Sequence, residues 1–173
     1  GGTVVMLPRF EAEPALGLML KEQVTFFAGV PTMYWGLLGA LTPEVDVETL
    51  AKNLRVAAAG GSALPVEVHK DFEKKFGVTI LEGYGLSETS PVATANRFDA
   101  TEFTGTIGLP LPSTDIAIRD EDGNDLPLGE VGEICIRGPQ VMAGYWNRPE
   151  ETANVMTSDG FFRSGDMGFM DEA

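Results

Sequence analysis

The chain has 173 residues, 43% of them hydrophobic, and a formal net charge of -14. This length and apolar content are enough for one ordinary domain or two small subdomains, and they exclude a disordered chain. The acidic balance argues against a nucleic-acid partner, because binding a phosphate backbone requires clustered Lys and Arg.

The first half of the chain alternates short apolar runs with amphipathic stretches, which is typical of βα units and a mainly parallel sheet. We predict strands at residues 3–7, 24–28, 55–59 and 78–81. We predict helices at residues 14–21, 31–41 and 65–76, with a short one at 46–53. Pro31 in a first turn and Gly77 after a last turn are the expected start and stop signals.

The second half has a different pattern, which begins where Gly and Pro crowd together at residues 105–112. We therefore predict two parts, 1–104 and 105–173. Residues 115–119 and 132–137 alternate as strands do, and residues 149–156 have the charge pattern of a helix start. The predicted fold class is α/β: a mainly parallel sheet with flanking helices, incomplete, followed by a small antiparallel β-barrel-like subdomain.

Two residues with reactive side chains are expected to be inert. Cys135 lies in an apolar run and is interpreted as a buried strand residue. His69, the only histidine, is expected on a surface helix, and no second His or Cys completes a metal set with it.

The sequence also bears on location. No apolar run approaches the roughly 20 residues of a membrane helix, and the N-terminus lacks the pattern of a signal peptide, so a cytoplasmic protein is expected. Peripheral membrane association stays open for a long-chain substrate, although the charge of -14 would repel an anionic surface. The oligomeric state is not predicted.

The most informative motif is residues 82–91, Glu-Gly-Tyr-Gly-Leu-Ser-Glu-Thr-Ser-Pro, which follow a predicted parallel strand. Ligands bind at the carboxyl ends of such strands. Tyr84 offers a flat face for a purine ring, and its flanking glycines let the backbone approach closely. Ser87 can donate a hydrogen bond to a phosphate oxygen, and Glu88 is a hard oxygen ligand of the kind Mg²⁺ accepts.

Two further loops add weaker signals. Gly60-Gly61-Ser62 joins a predicted strand to a helix, where backbone amides can meet an anion, but glycine with an N-capping serine explains it equally simply. Asp166 lies between glycines, where a turn former is the common interpretation; a carboxylate there can also accept hydrogen bonds from ribose hydroxyls. The joint occurrence of the three loops favours a nucleoside monophosphate.

Three motifs together resemble the adenylate-forming enzymes, which include acyl-CoA synthetases, nonribosomal peptide adenylation domains and beetle luciferases. They are residues 83–89, 144–152 and 164–166, and the similarity extends over essentially the whole chain. Residues 25–34 and 86–91 most resemble fatty acyl-CoA synthetases, since peptide adenylation domains usually carry a proline where Leu86 stands. Ser87 and Ser164 replace the commoner threonines but keep the hydroxyl.

The resemblance implies a set of site residues. Tyr84 would stack on adenine, Ser87 would contact the α-phosphate, Glu88 would bind Mg²⁺ and Asp166 would hold the ribose. The catalytic residues would be Ser87 and Glu88. The residues expected to contact the nucleotide ATP or AMP are Gly61, Ser62, Ala63, Glu82, Gly83, Tyr84, Gly85, Leu86, Ser87 and Asp166; those expected to border the carboxylate substrate are Gly83, Pro91 and Val92.

The implied activity is an acid–thiol ligation in which a fatty acid is activated as acyl-AMP and then transferred to CoA. The family's phosphate loop is expected upstream of this chain, and its hinge and C-terminal domain with a catalytic lysine are expected after Ala173. Because both ends look cut, we expect a central fragment that is inactive by itself although its parent is active.

Alternatives stay open at this point. The acid could be aromatic or an amino acid, with transfer to a carrier protein's thiol. The chain could instead be a non-catalytic nucleotide-binding scaffold. One group of apolar residues could line an acyl tunnel, although packing in the core is the favoured interpretation. These residues are Phe26, Phe27, Met33, Tyr34 and Trp35.

Overall fold

The computed structural model describes residues 1–99 and 105–172. The chain forms two compact units. The first comprises Gly1–Tyr84 and Ala95–Leu109, and the second comprises Gly85–Thr94 and Pro110–Ala173. The predicted boundary after residue 104 falls at the edge of residues 100–104, which lie outside the described residues, as does Ala173. The division at residue 104 therefore stays a prediction.

The first unit is built mainly from βα units. Its helices are α1 (Ala12–Lys21), α2 (Pro31–Gly39), α3 (Val47–Asn53) and α4 (Val66–Phe76). The five strands of the first sheet are β1 (Phe26–Gly29), β2 (Val56–Ala59), β3 (Ile80–Gly85), β4 (Val92–Ala95) and β5 (Leu109–Pro110), in the order β1-β2-β3-β4-β5. Strands β1, β2 and β3 pair in parallel, which confirms the mainly parallel sheet.

The second unit carries a separate antiparallel sheet of three strands in the order β6-β7-β8. These strands are β6 (Asp115–Arg119), β7 (Gly132–Arg137) and β8 (Phe162–Gly168), and the helix α5 (Pro149–Val155) precedes β8. The predicted bounds of β6 and β7 are confirmed, and Cys135 is buried in β7 as expected. The α/β fold class with a small antiparallel second part is confirmed.

Some predicted elements are wrong or incomplete. Residues 3–7 form no strand, and within the described chain no strand pairs with them; Val4 and Met6 are about four-fifths exposed, at 79% and 80%. Strand β3 continues to Gly85, so glycines that we expected in a loop belong to a strand. Strands β5 and β8 are not predicted because the proline of β5 and the glycines of β8 are typical of turns, and β4 is not predicted because it is short and directly follows Pro91.

A row of aromatic rings lies in the core of the first unit. Phe27 meets Tyr34 edge-on at 5.3 Å between ring centroids, Tyr34 meets Phe72 at 5.0 Å, and Phe72 stacks on Phe76 at 4.3 Å. The Tyr34 hydroxyl is satisfied because it donates to the Ala58 carbonyl at 2.6 Å. Tyr34 is thus a core residue, in keeping with the favoured packing interpretation.

His69 is not on the surface, so that prediction is wrong. Only 1% of the residue is exposed. It shares the inward face of α4 with Val68, Phe72 and Phe76, because residues three and four apart lie on one side of a helix. Burial lowers the pKa of the His69 imidazole against the opposing effect of Glu73.

Candidate nucleotide site

Two glycine-containing segments of the first unit lie side by side. Strands β2 and β3 pair in parallel with Ala59 opposite Glu82, so the chain leaves both strands at the same edge of the sheet. At Gly60 a Cβ atom would come within 3.2 Å of the Gly83 carbonyl oxygen, so the two backbones approach closely. Residues 60–64 and the end of β3 are therefore adjacent in the fold.

Glu82 connects these segments through its side chain. Its Oε1 accepts a hydrogen bond from the Leu64 amide at 3.1 Å, which ties residues 60–64 to the end of β3. Burial raises the pKa of the Glu82 carboxyl, and the Leu64 amide only partly offsets that effect. Glu82, which was predicted to contact a nucleotide, therefore also helps to position residues 60–64.

The remaining predicted groups of the first unit differ in exposure. Gly61, Ser62 and Ala63 are exposed, and Gly61 takes a left-handed conformation with φ of 82° that favours glycine. Tyr84 is half-buried near the end of β3. These positions leave backbone amides and an aromatic ring within reach of a ligand at the sheet edge.

In the second unit, Ser87–Thr89 forms a short 3₁₀ turn. It contains Ser87, predicted to contact a phosphate, and Glu88, predicted to bind a metal ion. Thr89 is fully buried; its hydroxyl accepts from the Leu86 amide at 2.9 Å and donates to the Pro91 carbonyl. Any side chain at Gly85 would collide with that carbonyl, which explains the glycine. The turn is thus fixed from inside, while Ser87 is exposed and Glu88 half-buried.

A second segment of the same unit holds Glu88. The Tyr145 hydroxyl donates to Glu88 Oε1 at 2.9 Å, and the Met142 amide donates to the Glu88 carbonyl at 2.8 Å. The bond to the carboxylate raises the pKa of the Tyr145 phenol. Residues 142–145 therefore hold both the backbone and the carboxylate of Glu88.

Asp166 lies in a bulge of β8. Glu133 pairs with Met167 and Cys135 with Arg163, so the three residues 164–166 face the single residue Ile134. Bulges of this kind redirect side chains and are frequent beside functional sites. The expected turn at Asp166 is thus an irregular strand, with Gly165 in the left-handed region at φ of 77°.

Glu133 stabilises this bulge. Its Oε1 accepts from the Gly165 amide at 3.0 Å, and its Oε2 accepts from Arg163 Nε at 2.8 Å. The Asp166 amide donates to Ser164 Oγ at 3.1 Å. The exposed Asp166 is therefore carried on a backbone that several contacts define.

The predicted residues are distributed over both units. The first unit carries Gly61, Ser62, Ala63, Glu82, Gly83 and Tyr84; the second carries Gly85, Leu86, Ser87, Glu88, Pro91, Val92 and Asp166. Thr89, Glu133 and Tyr145 support these groups but were not identified as such from the sequence. Of these three, Thr89 and Tyr145 lie in the motifs named above, so the sequence could have indicated a role for these two but not for Glu133.

The donor set suits Mg²⁺ bound together with phosphates. Among the described residues, no group of three or more His, Cys, Asp or Glu side chains could hold a metal ion. Mg²⁺ is usually bound by one or two carboxylates plus substrate phosphates and does not require such a cage. The half-buried Glu88 can supply a carboxylate of that kind.

The fold and these loops define the class of protein, an α/β protein with candidate ligand-binding segments where parallel strands end. Comparison with known sequences identifies the family. The sequence profile of the AMP-binding enzymes matches residues 1–146, and the chain belongs to that family. The resemblance inferred from the motifs is confirmed.

Individual relatives agree with this assignment. The chain is 47% identical over 173 residues to a long-chain-fatty-acid–CoA ligase of Bacillus subtilis (strain 168), covering 99% of this chain and 30% of that protein. Among solved structures, ATP-bound MatB from Rhodopseudomonas palustris matches with a TM-score of 0.84 and 37% identity, over 96% of this chain and 32% of that one.

A third relative carries a different substrate in its name. A malonyl-CoA ligase in a ternary product complex with methylmalonyl-CoA and AMP matches with a TM-score of 0.79 and 38% identity, over 95% of this chain and 35% of that one. The chain thus spans about a third of the length of its relatives. Within the described residues, no helix is long and apolar enough to cross a membrane.

Proposed function

We propose that this chain is the adenylate-holding part of an ATP-dependent fatty acid–CoA ligase. The observation that carries the proposal is the Ser87–Thr89 turn, which places a hydroxyl and a braced carboxylate side by side in a member of the AMP-binding family. The fatty-acid substrate is supported by the 47% identity to a relative that bears that name.

The proposed roles divide between the units. In the first, Tyr84 stacks on adenine while Gly61, Ser62 and Ala63 contact its edge through main-chain atoms. Glu82, which already accepts the Leu64 amide, borders this side.

In the second unit, Ser87 donates to the α-phosphate, Glu88 holds Mg²⁺ and Asp166 accepts from the ribose hydroxyls. Gly83, Pro91 and Val92 border the carboxylate, and Gly85 and Leu86 line the nucleotide. The exposure of Ser87 and Asp166 suits contact with a ligand.

The chemistry has two steps. A carboxylate oxygen of the acid attacks the α-phosphorus of ATP, the bond to the bridging oxygen breaks, and pyrophosphate leaves. The CoA thiol, after losing its proton, then attacks the acyl carbon, and AMP departs as the thioester forms. Negative charge accumulates on phosphate oxygens in the first step, so a donor such as Ser87 accelerates it by stabilising that charge. Bound Mg²⁺ would neutralise phosphate charge and fix its geometry.

The proposal is tested by carboxylate-dependent exchange of pyrophosphate into ATP with the full-length protein. The panel contains long-chain and short-chain fatty acids, malonate, aromatic acids and amino acids, with CoA thioester formation measured in parallel. Exchange and thioester formation with long-chain acids would support the proposal. Exclusive activation of amino acids or aromatic acids, or no exchange with any acid, would refute it.

A second substrate class is favoured by one specific observation, the 38% identity to a malonyl-CoA ligase. Malonate carries a second carboxylate, which requires a cation or several hydrogen-bond donors in the acid pocket. Preference for malonate over all fatty acids would establish this second candidate. The ligase reaction would be unchanged.

The isolated 173-residue chain is proposed to have little or no ligase activity, because its relatives are about three times as long. Pyrophosphate release by the purified chain with ATP and fatty acids checks this statement. Sustained turnover at the rate of the full-length protein would contradict it.

A further inference from the structure

Tyr145 makes a contact with Glu88 that bridges 57 positions of sequence. The phenol donates to Glu88 Oε1 at 2.9 Å, which leaves Oε2 outside that bond. A tyrosine hydroxyl that donates to a carboxylate makes a charge-assisted hydrogen bond, which is stronger than a bond between neutral groups. Tyr145 therefore restricts the rotation of the Glu88 carboxylate.

The backbone around Tyr145 is itself held in place. The Tyr145 amide donates to Thr152 Oγ1 at 2.9 Å, and the Thr152 hydroxyl donates to the Arg148 carbonyl at 2.8 Å. Gly144 has a φ of 152°, and a Cβ atom there would come within 2.7 Å of Thr152 Cγ2. The first turns of α5 thus fix the position from which the phenol reaches Glu88.

We propose that Tyr145 is a positioning residue for Glu88, which it holds so that one carboxylate oxygen receives the divalent cation that accompanies the nucleotide. This proposal rests on the proposed function. The Met142 amide contributes by fixing the Glu88 carbonyl at 2.8 Å, so both ends of the residue are held from the same segment. Tyr145 acts through Glu88 and has no contact with the reacting atoms in this scheme.

The physical reason is the cost of ordering a flexible side chain. A glutamate loses rotamer freedom when it binds an ion, and a partner that has already ordered it removes part of that cost. Hydrogen bonds to metal-binding carboxylates typically change metal affinity or activity 10- to 100-fold. Because Tyr145 is partly exposed, with 36% of its surface accessible, we expect an effect near the lower end.

The experiment is a calorimetric titration of the full-length protein with ATP, in saturating Mg²⁺ and again in excess chelator. In the Tyr145→Phe variant we expect ATP affinity in Mg²⁺ to fall about 10-fold and metal-free ATP affinity to remain unchanged. The apparent KM for Mg²⁺ in pyrophosphate exchange should rise, while kcat at saturating Mg²⁺ changes less. Trp146→Phe is the matched control, because the neighbouring Trp146 is 89% exposed and should leave both affinities unchanged.

A double-mutant cycle separates positioning from general structural support. In a Glu88→Gln background, Tyr145→Phe should have no further effect on ATP affinity in Mg²⁺. Equal ATP affinity in wild type and Tyr145→Phe, an equal loss with and without Mg²⁺, or a full effect in the Glu88→Gln background would each overturn the positioning role. If the wild-type protein itself neither binds ATP nor exchanges pyrophosphate with any acid, the proposed function fails, and the role of Tyr145 with it.

Discussion

The two units of this chain are stabilised in different ways. The first has an apolar core with a row of four aromatic rings, whereas the second has a small set of buried aliphatic and aromatic residues surrounded by ion pairs. In the second unit Arg119 bonds to Asp125 and Asp159, Arg137 to Asp115, and Arg163 to Glu133.

This difference extends to the proposed ligand groups. Near the sheet edge of the first unit, groups are placed by backbone pairing and close glycine approach. In the second, Glu88 and the Asp166 bulge depend on individual side chains, Tyr145 and Glu133. Single polar substitutions should therefore disturb the site mainly in the second unit, and apolar truncations should act mainly on the stability of the first.

The largest expected effect is a truncation in the aromatic core. Phe72 is fully buried between Tyr34 and Phe76, so Phe72→Ala removes ring contacts and leaves a cavity. We expect the free energy of unfolding of the first unit to fall by about 3–5 kcal/mol. Native-state hydrogen exchange of α4 and β2 amides measures it; Phe98→Ala, at an 82% exposed position, is the control. A change below about 1 kcal/mol would contradict the assigned core.

The second-largest expected effect is on stability, when the ion-pair network of the second unit is disrupted. The Arg119 side chain is only 10% exposed, bonds to Asp159 at 2.6 Å, and lies 4.4 Å from the centroid of the Phe161 ring. Arg119→Met should destabilise the second unit by about 2 kcal/mol, as judged by exchange of β6 and β7 amides. Arg148→Met, which removes an exposed pair with Glu151, is the matched control and should have little effect.

The stability lost in the Arg119→Met variant should depend on pH in a defined direction. Hydrogen bonds from Arg119, and then from Thr157, lower the pKa of the Asp159 carboxyl in the folded state. Stability from that contact is present above the ordinary aspartate range and is lost as pH falls through the lowered value. The difference in unfolding free energy between wild type and Arg119→Met should thus become smaller in acid. A difference that becomes larger would contradict the assigned ion-pair network.

A smaller effect is expected when one hydroxyl is removed from the core of the first unit. Tyr34→Phe keeps the ring but leaves the Ala58 carbonyl without the donor now 2.6 Å away. We expect a loss of about 1–2 kcal/mol, measured by urea unfolding. Trp35→Phe, at a 69% exposed neighbour in α2, should differ little from wild type. Equal stability of the two variants would show that the hydroxyl contributes nothing.

The smallest effect is a pH-dependent one at Glu82. Because burial raises its folded-state pKa, the folded protein holds this proton more tightly than the unfolded chain. Stability therefore falls as pH rises from the ordinary glutamate range through the raised value. Glu82→Gln keeps an oxygen for the Leu64 amide but cannot ionise, so it should be more stable than wild type at neutral pH and lose that advantage below about pH 4. An advantage that grows in acid would contradict the direction of the shift.

Much of the fold could be predicted from local signals. Helices α2 and α4 carry Pro at the start or Gly after the end, and β6 and β7 alternate clearly. The predicted strand at residues 3–7 is wrong because an apolar β-branched run forms a strand only where a partner strand pairs with it. Burial of His69 was missed because the charged residues around it dominate the composition of α4.

The candidate site was predictable as a set of groups and not as an arrangement. Glycines, Tyr84, Glu88 and Asp166 are recognisable by residue type and motif. Their supports are long-range contacts: Tyr145 meets Glu88 across 57 positions, and Gly165 meets Glu133 across 32. Periodicity and turn chemistry describe neighbours in sequence, so they contain no information about such pairs.

The most direct test of the proposed nucleotide site is a crystal structure of the full-length protein with a non-hydrolysable acyl-adenylate analogue. We expect the Tyr84 ring to stack against adenine, the Asp166 carboxylate to lie within hydrogen-bond distance of the ribose hydroxyls, and Ser87 Oγ to lie near the phosphate-mimicking group. An analogue bound elsewhere, with Tyr84 and Asp166 both remote from its nucleoside, would contradict the proposed site.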